Sequence, residues 1–325
     1  MSNLLCVDPG YSTTRRIIHD SRIAQEIPGA EFPRKLLLPP QAGRKGEGGL
    51  RTRGYVKVAA GIDDDAAASG DHGQQQPLVT VITVVFNGAK TLEQSIISVI
   101  TRSYDNIEFI IIDGGSTDGT LDIIKKYDHA IDYWVSEPDK GTYDAMNKAI
   151  DVALGDRIYF LGCDDLLVTN LRNIAPLFRK CDVLYGDVYM IHQHRLYDGA
   201  FNSFKLVTRN ICQQAIFYPR FVFDRYRFDT RFETLADYHL NIRCYADPDL
   251  SLTYVPELVA IYDDKSGASS TRVDDVLVKE RDRLTRQYFP AGIYLYFRVH
   301  EALRHLLGLL GLKRLVKTAL RKLSA

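Results

Sequence analysis

Residues 78–86 read Leu-Val-Thr-Val-Ile-Thr-Val-Val-Phe, a near-continuous β-branched run that suits a strand buried on both faces. Such a strand needs helices on either side of its sheet, and the following residues supply them. Asn87-Gly88 ends the run, and Leu92, Ile96, Ile97, Val99 and Ile100 then form the apolar stripe of a helix over 90–102. The alternation repeats with a strand over 107–112 closed by Asp113-Gly114-Gly115. A helix capped by Ser116 runs to about 127, and a short strand covers 131–135. A helix over 142–153 and a strand over 157–161 complete the pattern. Strands alternating with helices predict right-handed βαβ units, an α/β class with a mostly parallel, Rossmann-like sheet flanked by helices.

Beyond Asp165 the rhythm loosens. Residues 183–192 and 195–201 pair as an antiparallel hairpin, 214–218 reads as a strand, 235–246 as a helix, and 271–288 as a polar amphipathic helix. Three regions follow: an extension over 1–76, an α/β domain over 77–265 with a small antiparallel acceptor-side region, and C-terminal helices over 266–325. The extension carries GRKGEGGLRTRG and GIDDDAAASGDHGQQQ, so it is expected to be largely disordered or loosely docked, with short extended pieces at 35–38 and 55–59. At the other end, Leu312, Val316, Leu320 and Leu323 share one helical face, with Lys313, Arg314, Lys317, Arg321 and Lys322 off it. That pattern fits an anionic membrane surface, and it also fits a helix packed on the domain with its basic side in water. Gly308 and Gly311 are expected to separate this segment from the apolar helix before it.

Charge narrows the function. Lys+Arg and Asp+Glu are both 41, which argues against a dedicated nucleic-acid binder. The cysteines, Cys6, Cys163, Cys181, Cys212 and Cys244, contain no CxxC pair and are odd in number; reduced thiols are expected. No leader-like apolar stretch opens the chain and no run reaches a membrane-spanning length, so a cytoplasmic location is expected, with peripheral contact at the inner membrane.

In open parallel sheets ligands bind at the carboxyl ends of the strands. Here those ends carry Phe86-Asn87, Asp113, Glu137-Pro138-Asp139-Lys140-Gly141 and Asp164-Asp165. Adjacent carboxylates repel, and a hard divalent cation such as Mg²⁺ or Mn²⁺ relieves that cost, with substrate phosphates completing its shell. A solvated acidic turn is the competing reading of the doublet. Asp113 can accept hydrogen bonds from a base or ribose, whereas Asp118 reads as a turn or helix cap. Neither GxGxxG nor GxxxxGK[ST] is present, so a dinucleotide site and a phosphate loop are not supported. His192 and His194 alternate along a predicted strand without a third ligand, which favours an exposed strand edge over a metal site. Trp134 and Tyr133 read as core residues rather than sugar-stacking ones.

Four motifs then stand in order: VTVITVVFNG, FIIIDGGSTDGT, SEPDKGTYDAMNKAI and YFLGCDD. Through them residues 77–262 resemble glycosyltransferase family 2, of the GT-A fold, and are similar in particular to bacterial exopolysaccharide and lipopolysaccharide transferases of the colanic-acid type. The resemblance implies inverting transfer from a nucleotide-sugar with a divalent cation as cofactor, and a glycan or lipid-linked acceptor. It implies that Phe86 and Asn87 line the nucleotide pocket and that Asp113 binds the base or ribose. Lys140, Asp144 and Asn147 would border the diphosphate and donor sugar, Asp165 would ligate the metal, and Asp164 would touch the ribose or the metal shell. The segment Thr234-Leu235-Ala236-Asp237-Tyr238-His239-Leu240 resembles the family stretch whose aspartate is the base, here Asp237, with Ala236 where an acid is usual and with Glu233 and Asp229 as fallbacks. Gln213 stands where relatives often carry His, and it can still donate hydrogen bonds. A non-catalytic sugar-nucleotide-binding scaffold on the same fold is the alternative; the retained Asp113, Asp164, Asp165 and Asp237 weigh against it. A nucleotidyltransferase is disfavoured because the loop after the first strand, Phe86-Asn87-Gly88-Ala89, has only Lys90 as a basic residue.

Overall fold

The computed structural model describes residues 35–57, 77–104, 106–265 and 274–310. The predicted C-terminal basic segment from Leu312 lies outside them. Strands β1 (Gly46–Gly48), β2 (Val79–Val85), β3 (Ile107–Asp113), β4 (Tyr133–Ser136), β5 (Arg157–Phe160), β6 (Leu166–Leu167), β7 (Val183–Met190), β8 (Arg195–Tyr197), β9 (Ile216–Pro219) and β10 (Leu252–Tyr262) form one sheet. Its order is β1-β4-β3-β2-β5-β9-β7-β10-β6, with β8 on β7. The principal helices are α1 (Leu92–Ile100), α2 (Thr120–Lys126), α3 (Thr142–Val152), α4 (Ala236–Ala246), α5 (Asp275–Tyr288) and α6 (Ala291–Leu309).

The predicted parallel unit is present: β4, β3, β2 and β5 are mutually parallel neighbours. Strand β3 shows why its central run Phe109–Ile112 is apolar on both faces. Ile110 and Ile112 join the core that holds Ala145, Ala149 and Ile150 of α3, whereas Phe109 and Ile111 join the one that holds Ile96 of α1 and Ile124 of α2. The chain steps outward from β2 to β3 to β4, then crosses back to lay β5 on the other side of β2. That reversal is a topological switch point, and it opens a crevice above the carboxyl ends of β2 and β5.

The structure departs from expectation in several places. Residues 35–57 do not hang loosely: β1 pairs antiparallel with β4, and the strand falls at 46–48 rather than at the extended pieces foreseen. Arg51 forms a buried ion pair with Glu108, and Lys57 forms another with Asp132 at 2.7 Å. Glu108 also accepts from Thr80 Oγ1 at 2.6 Å and from the Leu154 N–H at 2.8 Å, so the buried charge is fully used. The glycine-rich, polar composition hid this docking because buried ion pairs and the scattered buried side chains of Leu38, Leu50 and Val56, rather than a periodic apolar face, hold the segment down. Strand β10 was not foreseen; its Pro256 and Glu257 interrupt the apolar pattern, and the β7–β10 register shifts there. Helix α6 runs through Gly308 to Leu309 instead of breaking at it. His192 and His194 lie in the turn between β7 and β8, not along a strand.

Candidate active site

A cleft of about 1180 Å³ opens at the switch point. Phe86 and Asn87, which follow β2, form one wall, and Asp164 and Asp165, which follow β5, form the floor. Asp237, from the first turn of α4, faces the same space. Phe86 is 66% exposed, a large aromatic surface left open at the rim. Asn87 takes a left-handed conformation (φ 54°) that turns its amide toward the neighbouring loop. Its N–H donates to Ser116 Oγ at 2.7 Å and its Oδ1 accepts from the Thr117 N–H at 2.9 Å. The two loops that bound this wall are therefore stitched together.

Asp165 is buried, and both of its oxygens accept hydrogen bonds, Oδ2 from Gln214 Nε2 at 2.8 Å and Oδ1 from the Asp263 N–H at 2.8 Å. Burial first, and then the charge of Asp164, push its carboxyl well above the usual carboxylate range. Gly162 explains how two carboxylates share so small a space. A Cβ at that position would lie 2.3 Å from Asp165 Oδ2 and 2.8 Å from Asp164 Oδ1, so both acids point their oxygens into the volume the missing side chain leaves. Among the described residues no group of three His, Cys, Asp or Glu side chains is placed to hold a metal ion by itself. The converging donors are all oxygens, a set that fits a hard divalent cation whose shell a substrate would complete.

Asp237 sits at the end of a hydrogen-bond chain. Tyr143 Oη donates to its Oδ1 at 2.9 Å, and Asn210 Nδ2 donates to its Oδ2 at 2.5 Å. Asn210 is itself oriented by Asn241 Nδ2, 2.8 Å from its Oδ1, and Asn241 Oδ1 accepts from Tyr218 Oη at 2.6 Å. Burial raises the Asp237 carboxyl to about 6, against the opposing pull of the Tyr143 and Asn210 donors. Burial and the adjacent Asp237 hold the Tyr143 phenol well above its ordinary value, so it stays a donor. Of the fallback acids, Glu233 lines the cleft, whereas Asp229 is taken up by the Arg231 guanidinium at 2.6 Å.

Other expected residues stand differently. Asp113 is fully buried outside the cleft lining; it accepts from the Ser116 hydroxyl and N–H and from Ser136 Oγ at 2.5 Å. It thus anchors the Gly114-Gly115-Ser116 turn from beneath. Asn147 clamps the backbone of Phe228, donating to its carbonyl at 2.9 Å and accepting from its N–H at 3.2 Å. Asp144 accepts from the Lys140 N–H at 3.0 Å and so caps the start of α3; neither residue lines the cleft. Asp118 forms the turn before α2, whose N-cap is Gly119 rather than the expected Ser116: it accepts from the Thr120 N–H at 3.1 Å and also ties down the Ala89 N–H at 3.0 Å. Gln213 lines the cleft with its Nε2 3.6 Å from Met146 Sδ, and the hydrogen bond to the acidic pair comes from Gln214 instead. Trp134 and Tyr133 are core residues, as expected. Sequence reasoning missed Tyr143, Asn210 and Gln214: Tyr143 stands inside the motif SEPDKGTYDAMNKAI and the other two stand near Gln213, but neutral polar side chains carry no charge to single them out.

Comparison with known proteins identifies the family. The family described as Glycosyl transferase family 2 matches residues 80–237. A protein of Mycobacterium tuberculosis named PGL/p-HBAD biosynthesis glycosyltransferase is 36% identical over 220 residues, which span 65% of this chain and 86% of that protein; a Mycobacterium bovis protein of the same name matches equally. Among solved structures, residues 1–349 of S. aureus TarS in complex with UDP-GlcNAc superpose with a TM-score of 0.52 at 16% identity, covering 65% of this chain and 71% of that one, which is a likeness of fold. The βαβ unit, the cleft at its switch point and the extent of the mycobacterial match together place the chain in glycosyltransferase family 2, an α/β glycosyltransferase of the GT-A fold.

Proposed function

We propose that the protein catalyses inverting, cation-dependent transfer of a sugar from a nucleotide-sugar to a glycan or lipid-linked acceptor in cell-surface polysaccharide biosynthesis. The observation that carries this reading is that the convergent Asp164–Asp165 pair and the buried, hydrogen-bonded Asp237 line one cleft. Asp164 and Asp165 would hold Mg²⁺ or Mn²⁺, which when bound offsets the negative charge that builds on a departing nucleoside diphosphate. Phe86 and Asn87 would border the nucleotide. Asp113, Asp144 and Asn147 support the reading from behind, by fixing the turns and the helix start that border it, and Lys140 is exposed at the rim. Asp237 would accept the proton of the attacking acceptor hydroxyl, while Tyr143 and Asn210 hold its carboxylate in place. The inverting outcome follows from a base acting on the acceptor without a covalent intermediate. The chain would work at the cytoplasmic face of the inner membrane, in peripheral contact with it through the residues after 311. The mycobacterial relatives are named for PGL/p-HBAD biosynthesis and the TarS structure carries UDP-GlcNAc, which supports nucleotide-sugar as the donor class.

The test is release of nucleoside diphosphate from a panel of UDP-, GDP- and dTDP-sugars by purified protein, with Mn²⁺ or Mg²⁺ and with chelator. Cation-dependent release from one donor supports the reading; absence of binding to every nucleotide, judged by thermal shift, overturns it.

Residues 41–45, which lie outside the family match, brace the loops of this cleft. Lys45 Nζ donates to the carbonyls of Gly115 and Ser116 at 2.7 and 3.0 Å, and Gln41 Nε2 donates to that of Pro138 at 2.7 Å. Arg44 pairs with Glu137 at 2.7 Å, and Lys148 reaches the same carboxylate at 3.0 Å. Lys45→Ala is therefore expected to raise the donor KM ~3- to 10-fold with kcat little changed, since it loosens a binding loop and not the reacting groups. Lys45→Arg should restore most of the loss. A fall in kcat at constant KM would exclude this positioning role.

A further inference from the structure

Helix α6 leaves the domain with an uncovered apolar face. Its first turns are packed: Ile293 and Phe297 are buried, and Tyr296 meets Phe204 edge-on at 5.0 Å. Beyond that point the helix stands clear, and residues 302–306 are exposed one after another around its whole circumference. Leu295, Val299, Leu303, Leu306, Leu309 and Leu310 are all exposed, by 42% to 73%. At 3.6 residues per turn these six fall within about a third of the helix circumference, opposite the side that bears Ile293 and Phe297. A soluble monomer seldom leaves a contiguous stripe of this kind in water.

The charge around the stripe identifies what covers it. Glu301, the single acidic residue of α6, is neutralised by Arg304 at 2.7 Å. Arg298, paired with Asp282 at 3.0 Å, and His305 border the stripe on one side, so the uncompensated charge comes from further along the chain. The chain then continues through residues 311–325, which contain Lys313, Arg314, Lys317, Arg321 and Lys322 and no Asp or Glu. Since the whole protein has a net charge of zero, this end is a local cationic excess. A second copy of the chain docked in parallel along the stripe would bring two such cationic ends together, and one docked antiparallel would leave both without an anionic partner. An anionic lipid surface takes up the apolar face and the cations at once.

We propose that the exposed stripe of α6 is a docking face for the surface of an anionic lipid bilayer, with the leucines entering the acyl boundary and the basic end meeting the headgroups. No helix among the described residues is long and apolar enough to cross a membrane, so the contact lies in the plane of the interface. The proposal deepens the membrane contact put forward above and rests on it, moving the apolar anchor to a face that is folded before any lipid is met. Because it is read without donor or acceptor, its failure is separate from failure of the glycosyl-transfer reading.

The experiment is flotation of the full chain with phosphatidylcholine vesicles and with vesicles in which about a third of the lipid is phosphatidylglycerol. The expected result is salt-sensitive binding to the anionic vesicles. Leu303→Glu together with Leu306→Glu is expected to weaken that binding at least ~10-fold, because two acids replace apolar anchors at the interface. Both side chains are solvent-exposed and remote from the buried core, so donor turnover in solution should be unchanged, and it controls for folding. Equal binding by the double variant would overturn the proposal, leaving the basic end as a purely electrostatic tether. Absence of wild-type binding to both vesicle types would overturn it as well. So would a wild-type dimer in light scattering that the double variant dissociates, since the stripe would then belong to a second copy.

Discussion

Asp237→Asn is expected to lower kcat ~10²- to 10⁴-fold, the range typical of a lost general base, with the donor KM within a few-fold of wild type. The carboxamide keeps the shape of the site but cannot take the acceptor proton. For the wild-type enzyme the base works as a carboxylate, so with its carboxyl at about 6 the rate should fall as pH drops below that value. The same burial has a stability consequence of opposite sense. An aspartate in the unfolded chain titrates near ~3.9, below the folded value. Between the two the native state holds more protons, so stability decreases as pH rises through the window from ~4 to 6. Above it the buried carboxylate costs on the order of 3 kcal/mol, a figure that already includes the opposing pull of the Asn210 and Tyr143 donors. The variant has no such charge to bury. Its thermal midpoint, followed from pH 4 to 7, should decline less than that of the wild type. If the Asn variant keeps activity within tenfold and the acid limb persists, the proton goes elsewhere, and the exposed Glu233 at the cleft rim becomes the base.

The contrast between what could and could not be read in advance has a physical origin. Strands β2, β3, β4 and β5 were legible because both of their faces are buried, which favours apolar residues on either side of the sheet and leaves only a few paired polar ones such as Thr80 and Glu108 among them. The acids at their ends stood out against that background, and the structure brings Asp164, Asp165 and Asp237 to one cleft. Strand β10 was illegible because it is half-exposed over most of its length and breaks register beside Pro256 and Glu257. Residues 35–57 were misread because Arg51 and Lys57 look like surface residues until Glu108 and Asp132 are seen beneath them. The roles of Asp113 and Asn147 could not be told from motif position alone. An acid at a strand end or an amide on a helix beside the cleft serves a ligand or a loop, and only the partners decide: Ser116 and Ser136 for Asp113, the Phe228 backbone for Asn147. Helix α4 shows the same limit, since its buried Asp237, His239 and Asn241 blur the apolar face that periodicity detects.

Asp165→Ala is expected to reduce donor turnover by ~10³-fold, since a lost cation site removes several kcal/mol of charge stabilisation. That variant alone would not separate lost chemistry from local collapse, because it strands Gln214 Nε2 and the Asp263 N–H, both of which donate to the missing carboxylate. Gly162→Ala supplies the separation. It removes no acid and no donor and inserts one methyl group into the volume on which Asp164 and Asp165 converge. At 2.3 and 2.8 Å those oxygens are closer than any real Cβ contact, so the carboxylates must move apart. Displacement of reacting groups by about 1 Å can cost ~10²-fold in rate, and the same displacement should weaken cation affinity. The checks are initial rates over a Mn²⁺ titration and a thermal midpoint. A raised Mn²⁺ requirement at a near-native midpoint would tie the acidic pair to the cation. Wild-type rates and Mn²⁺ dependence in Gly162→Ala would show that the pair does not act through a shared ion, and would return Asp164-Asp165 to a buried acidic turn held by Gln214 and Asp263.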